Sequence, residues 1–198
     1  MSLKLSYTLI APFYDAAIRR ATSRIRAQSL KHIPDAGGLR ILVNGIGTGL
    51  DLPYLPPAHV YIGLDLTTAM LRRARSRSGN LQIHLVQGNS LDLPFADNCF
   101  DYVVLHLILA VVSDPVQCLK ETARVLKTGG QILLLDKFLR RNERAWFRRV
   151  LNPLAERIAT RLDVVFEDAL ESVSGLKVDS DVPVLANGWF RNIRLVKI

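Results

Sequence analysis

The chain is short of cysteine, of acidic residues and of long apolar runs, and each shortage excludes something. Its two cysteines, Cys99 and Cys118, stand alone in 198 residues. Nothing near them has metal-ligand spacing, so no metal site and no disulfide framework is read, and they are ordinary reduced thiols. No apolar stretch approaches the ~20 residues that span a bilayer. The longest, Leu105 to Val112, contains His106 and reads as strand plus turn. The start, Met1-Ser2-Leu3-Lys4, has neither the apolar core nor the small-residue cleavage site of a secretory leader. The expectation is a cytoplasmic protein.

Acidic residues number 18 against 26 Lys and Arg, a net charge of +8, which favours anionic partners. Arginines cluster as Arg19-Arg20-Arg24-Arg26, Arg72-Arg73-Arg75-Arg77 and Arg140-Arg141-Arg144-Arg148-Arg149. No RNA-binding signature or zinc pattern accompanies them, which argues against nucleic acid. An anionic membrane surface and a phosphorylated substrate remain, and each cluster also fits a solvated helix face.

What the chain does have is a glycine turn. Ile41-Leu42-Val43-Asn44 is an apolar run that ends in Gly45-Ile46-Gly47-Thr48-Gly49. A second run, Gly63-Leu64-Asp65-Leu66, brings an acid 20 positions after Gly45. A buried strand followed by a tight glycine turn lets backbone approach a ligand closely. A carboxylate ending the next strand can accept bonds from both hydroxyls of a ribose. Together they point to an adenosine-containing cofactor, against the alternative of a glycine-rich turn that holds nothing. A dinucleotide fingerprint needs its third glycine where Leu50 stands. Pro53, Pro56 and Pro57 then permit about one helical turn and no long helix beneath a pyrophosphate. A nicotinamide cofactor is therefore disfavoured, and one bearing an amino acid is not.

The chain is 49% hydrophobic, enough for one domain with a core of its own. A helix is read near 12–32, ended by Pro34 and Gly37-Gly38, and strands near 40–44, 60–64, 82–86, 101–106 and 131–136. Helices fall near 67–77 and 115–127, with Gly129-Gly130 as the cap of the second. Residues 142–172 read as helical with a break at Pro153, and two strands follow from Leu176 around Ala186-Asn187-Gly188. The alternation implies an α/β, Rossmann-like sheet of seven mainly parallel strands with helices on both faces and an antiparallel terminal hairpin. The single domain divides into a helical cap at 1–38, a cofactor-binding core at 39–137, and a helical lid plus hairpin at 138–198.

This order of motifs resembles the class I S-adenosylmethionine-dependent methyltransferases over nearly the whole chain. Gly63 to Leu71 looks like the family's second motif and Gly88-Asn89-Ser90-Leu91-Asp92 its third. Phe100 to Val104 resembles the fourth strand, and Glu121 to Gly130 the helix before the fifth. Tyr7 to Asp15 and Leu105 to Pro115 are similar to bacterial phospholipid N-methyltransferases of the phosphatidylethanolamine type, and more loosely to ubiquinone and menaquinone C-methyltransferases. The resemblance implies S-adenosylmethionine as cofactor, S-adenosylhomocysteine as product, and a small-molecule or lipid-like acceptor. Gly45, Gly47 and Gly49 would line the methionine moiety, with Asn44 beside them. Asp65 would hold the ribose. Leu66 and Met70 would sandwich the adenine, and Asn89 and Ser90 would meet its edge. Tyr7 and Tyr14 would fold over the cofactor, with Tyr14 and His106 as candidate catalytic groups near the acceptor. Plain packing is the alternative for Met70, Tyr7 and Tyr14, and a backbone-bonded histidine for His106.

Two positions depart from the pattern. Val43 stands where the family usually has an acid, and Asn44 cannot replace it because adjacent strand residues point to opposite faces. Asn89 stands where an aspartate is common, and keeps a carbonyl acceptor. Val43 favours the rival reading, a non-catalytic cofactor- or partner-binding module that kept the fold. The basic stretch Arg140 to Arg161, with Trp146 and Phe147, suits either an anionic membrane surface or a lid over the site. Oligomeric state is not written in the sequence.

Overall fold

The computed structural model describes residues 20–139, 164–185 and 188–198. Tyr7 and Tyr14, the basic stretch 140–161, and Ala186-Asn187 of the terminal turn lie outside these. The first described element is a helix, α1, over residues 20–30. Five strands and two helices follow: β1 (Arg40–Asn44), β2 (Val60–Asp65), α2 (Thr68–Arg77), β3 (Gln82–Gln87), β4 (Phe100–His106), α3 (Pro115–Val125) and β5 (Leu126–Lys137). A short helix, α4 (Phe166–Glu171), precedes the hairpin of β6 (Leu176–Leu185) and β7 (Phe190–Lys197). The seven strands lie in the order β3-β2-β1-β4-β5-β7-β6. The first five are parallel and the hairpin antiparallel.

Strand alternation divides the core in two. Ile41, Val43, Tyr61, Val104 and Leu133 point to the face covered by α1 and α2, where Leu30, Ile33, Leu71 and Ala74 meet them. Leu42, Leu64, Val103, Leu105 and Leu134 point to the opposite face, against Cys118, Leu119 and Ala123 of α3 and Phe166 and Ala169 of α4. The turn from Gly49 to Pro57 holds only a 3-10 turn at Leu52–Tyr54, as its prolines require. α3 begins where the Asp114 carboxylate accepts from Gln117 N–H and Pro115 takes the first helical position. It ends earlier than the glycine pair predicts. Leu126 is already extended, and Gly129, at φ +77°, shapes the irregular start of β5 rather than a helix cap.

The helical layers differ in charge. α1 and the turn after it expose Arg20, Arg24 and Lys31, and α2 exposes Arg72 and Arg75. Neither helix contains an acid over these described residues. α3 mixes Lys120 and Arg124 with Glu121, and α4 carries Glu167, Asp168 and Glu171.

Candidate functional site

β1 and β4 are neighbours although β2 and β3 come between them in sequence, so their carboxyl ends open a crevice where the strand order reverses. The glycine turn lies there. Gly45 N–H and Ile46 N–H both donate to Leu64 O at 2.9 Å, folding the turn over the end of β2. Gly45 is at φ +72° and Gly47 at φ +55°, a region that costs other residues roughly 1–2 kcal/mol. A Cβ at Gly45 would lie 2.5 Å from Ile108 Cδ1, whereas one at Gly47 would meet nothing nearer, among the described residues, than Gly45 O at 4.0 Å. Among the described residues the first glycine is packed and the second is uncovered.

Asp65 closes the other side. Its Oδ2 accepts Gly47 N–H at 3.0 Å, and its Oδ1 accepts Thr67 N–H at 2.9 Å and the Thr67 hydroxyl at 3.1 Å. The carboxylate is half-buried, and burial raises its pKa against these bonds. Leu66 follows, 47% exposed. Met70, on α2, is buried.

Asn44 and Val43 diverge as alternation demands. Val43 packs into the α1 face. Asn44 is buried on the α3 face, where its Oδ1 accepts the Ser90 hydroxyl at 2.7 Å and its Nδ2 lies 3.9 Å from Cys118 Sγ. Ser90 is thus tied to β1. Asn89 is exposed and its Oδ1 accepts Leu91 N–H at 3.0 Å, so its side chain braces its own turn.

His106 ends β4 with its side chain wholly covered. Its Nδ1 is 2.7 Å from Asp51 Oδ1 and its Nε2 is 3.0 Å from Ser29 Oγ. Both ring nitrogens are committed to side chains of the fold, and the ring is aimed at α1. The other Asp51 oxygen accepts from Arg26 at 2.7 Å. Burial disfavours the Asp51 charge, but Arg26 and His106 together outweigh it and hold the carboxyl below the usual carboxylate range.

Asp136, at the end of β5, is fully buried on the other face. It accepts Ala110 N–H at 3.1 Å and Lys137 N–H at 2.8 Å. Burial, only partly offset by these bonds and by the Lys137 charge, pushes its pKa up to about 6. Sequence reasoning missed Arg26, Asp51 and Asp136. For Asp136 the signal was there: Ile132-Leu133-Leu134-Leu135-Asp136 ends an apolar strand in an acid, as Tyr61 to Asp65 does.

Comparison with known proteins places the chain among methyltransferases. A methyltransferase-domain family model matches residues 42–134, from mid-β1 into β5. A phosphatidylethanolamine N-methyltransferase from Cereibacter sphaeroides is 30% identical over 188 residues, covering 91% of both chains. A demethylmenaquinone methyltransferase from Listeria welshimeri is 43% identical over 84 residues, which is 41% of this chain and 35% of that enzyme. Among solved structures, an S-adenosylmethionine-dependent methyltransferase from Thermotoga maritima aligns with a TM-score of 0.73 at 20% identity, over 98% of this chain and 99% of that one. At that identity the likeness speaks for the fold.

Proposed function

The chain belongs to the S-adenosylmethionine-dependent methyltransferase family, and from that premise we propose that it methylates the amine of a phosphatidylethanolamine-like lipid while seated on an anionic membrane surface. One observation carries the acceptor: 30% identity that runs through 91% of both chains, not only through the cofactor half. The 43% likeness to the menaquinone enzyme is higher but is confined to 84 residues, a span that does not reach most of either protein. The basic α1–α2 layer supports the surface. No helix among the described residues is long and apolar enough to cross a membrane, so contact would be peripheral.

The residues fit the cofactor. Gly47 offers backbone left uncovered by the described residues, Asp65 a half-buried carboxylate bonded to it, and Leu66 an exposed apolar side chain next to the carboxylate. In this reading Gly45, Gly47 and Gly49 line the methionine moiety and Asp65 takes the ribose hydroxyls. Leu66 and Met70 flank the adenine, and Ser90, held by Asn44, meets its edge with Asn89. When bound, S-adenosylmethionine supplies a methyl group already activated by a positive sulfur. The chain then has to hold an unprotonated amine close and in line, and such alignment can supply ~7–11 kcal/mol without a catalytic triad. The three-part division of the domain belongs to the same proposal, with 39–137 as the cofactor core.

The second reading, a non-catalytic module, is favoured by Val43 buried in an apolar core where the resemblance expects an acid. Radiolabelled methyl transfer separates the two. Label should enter phosphatidylethanolamine in mixed vesicles. Label only in a demethylmenaquinone, or in no acceptor although the cofactor binds, would overturn the lipid reading. Asp65→Ala should weaken S-adenosylhomocysteine by about 100-fold, as the loss of two bonds to a charged acceptor implies. Calorimetry that finds unchanged affinity in the folded variant removes Asp65 from the site.

A further inference from the structure

The segment from Gly45 to Asp51 is gripped from three elements on the α1 side. Arg26 of α1 donates to Asp51 Oδ2 at 2.7 Å and to Thr22 Oγ1 at 3.0 Å. His106 of β4 meets Asp51 Oδ1 at 2.7 Å and Ser29 of α1 at 3.0 Å. Arg77 of α2 donates to Thr48 O at 2.6 Å. Arg26, Asp51 and His106 are 6%, 3% and 5% exposed, so the core of this grip is sealed. With Asp51 ionised between a guanidinium and an imidazole, Nδ1–H is the hydrogen that His106 directs at it.

Three glycines in five residues make this turn expensive in chain entropy to order. A ligand that needs the turn in one place must supply that ordering unless the fold has done so already. A bonded carboxylate two residues beyond Gly49 does it in advance. An apolar contact would hold the segment equally well against unfolding, since buried ion clusters are commonly replaceable by packed hydrophobes without loss of stability. Bonds from fixed donors add direction, and direction sets where the backbone of the turn lies.

We propose that Arg26, Asp51 and His106 are positioning residues for S-adenosylmethionine: a buried ionic clamp that seats the glycine turn between α1 and the end of β4, and so sets cofactor affinity without touching the cofactor. This assigns His106 to the turn rather than to the proton of the acceptor. It rests on the reading that the glycine turn takes the cofactor.

The test is the full chain with Arg26→Met, Asp51→Leu and His106→Phe together. The expected result is a thermal midpoint close to that of the parent and a Kd for S-adenosylhomocysteine raised about ten-fold or more, within the usual range of coupling between a site and its support. Arg26→Lys, which keeps the charge, should restore most of the affinity that Arg26→Met loses. A folded triple variant with the parent's Kd overturns the clamp, provided Asp65→Ala weakens binding. If Asp65→Ala also leaves Kd unchanged, the cofactor-site reading itself has failed, and the clamp with it. Should the triple variant not fold, the single substitutions decide: equal, parental Kd values for Arg26→Met and Arg26→Lys overturn the inference.

Discussion

Asp51 and Asp136 are both buried carboxylates at the carboxyl end of the same sheet, and they are held in opposite ways. Asp51, on the α1 face, has a guanidinium and an imidazole within 2.7 Å. Asp136, on the α3 face, has backbone N–H groups of Ala110, Lys137 and Leu109 and the charge of the neighbouring Lys137. The first is kept ionised and the second is pushed towards its neutral form. Burial is nearly equal, so it does not set the outcome. Opposite charge within bonding distance overcomes desolvation, and backbone dipoles do not. The helical layers repeat the contrast, with basic residues exposed on α1 and α2 and mixed or acidic ones on α3 and α4.

The sharpest way to break this comparison is to neutralise each acid. Asp51→Asn leaves Arg26 buried without its charge partner, and removal of one member of such a pair costs about 3–5 kcal/mol. Asp136→Asn removes a charge that the fold holds poorly but keeps only one of the two oxygens that accept Ala110 and Lys137 N–H, so the loss should be smaller, about 1–3 kcal/mol. Urea unfolding at pH 7.5 measures both. Equal losses would mean that the guanidinium is not what distinguishes the two sites.

Charge on the helical layers gives the next largest effect. Each basic side chain near an acidic bilayer contributes about 1 kcal/mol. Replacing Arg20, Arg24, Arg72 and Arg75 together with Gln should therefore weaken binding to phosphatidylglycerol-containing vesicles by up to about 4 kcal/mol, and Lys120→Gln on the α3 side by little. The difference should shrink with salt, because screening limits surface charge to ~8 Å at physiological ionic strength. Affinity for S-adenosylhomocysteine should stay at the parent value in both. Equal vesicle binding by the parent and the four-fold variant at low salt would remove this layer from the membrane reading.

Much of this was legible in the sequence, for local reasons. The strands follow from apolar runs bounded by turns, and β1 begins and ends at the predicted residues. Asp65 was legible as the acid closing β2, and its carboxylate accepts Gly47 N–H of the glycine turn. The boundary of α3 was misjudged because a glycine pair is an equally good signal for a bulged strand. The clamp was hidden for a different reason. Thr22, Ile25, Arg26, Ser29 and Leu30 form the buried stripe of α1, yet three of them are polar and read as surface. Their partners, Asp51 and His106, lie 25 and 77 residues away from Arg26 and Ser29 respectively, beyond any local pattern.

The smallest effect, and the one with a sign to settle, is the pH dependence of stability. Asp136 has a folded pKa of about 6, above the ~3.9 of an unfolded aspartate. Between those values the folded chain holds a proton that the unfolded chain lacks, so stability falls as pH rises towards 6 and gains as pH drops. A shift of this size is worth at most about 3 kcal/mol. Asp51 acts in the opposite sense. Its folded pKa lies below the unfolded value, so its contribution is present above pH ~4 and is lost as pH falls further. Asp65, raised by burial, adds to the upper limb, and Asp101 and Glu121, both lowered, add to the acid limb. A comparison of each variant with the parent removes those shared terms. The difference between parent and Asp136→Asn should change between pH 4.5 and 7 and be level above it. The difference between parent and Asp51→Asn should be level across that window and collapse below pH ~4. Urea midpoints across the range give both curves, and a flat difference for Asp136→Asn would show that its carboxyl is ionised throughout, as Asp51 is.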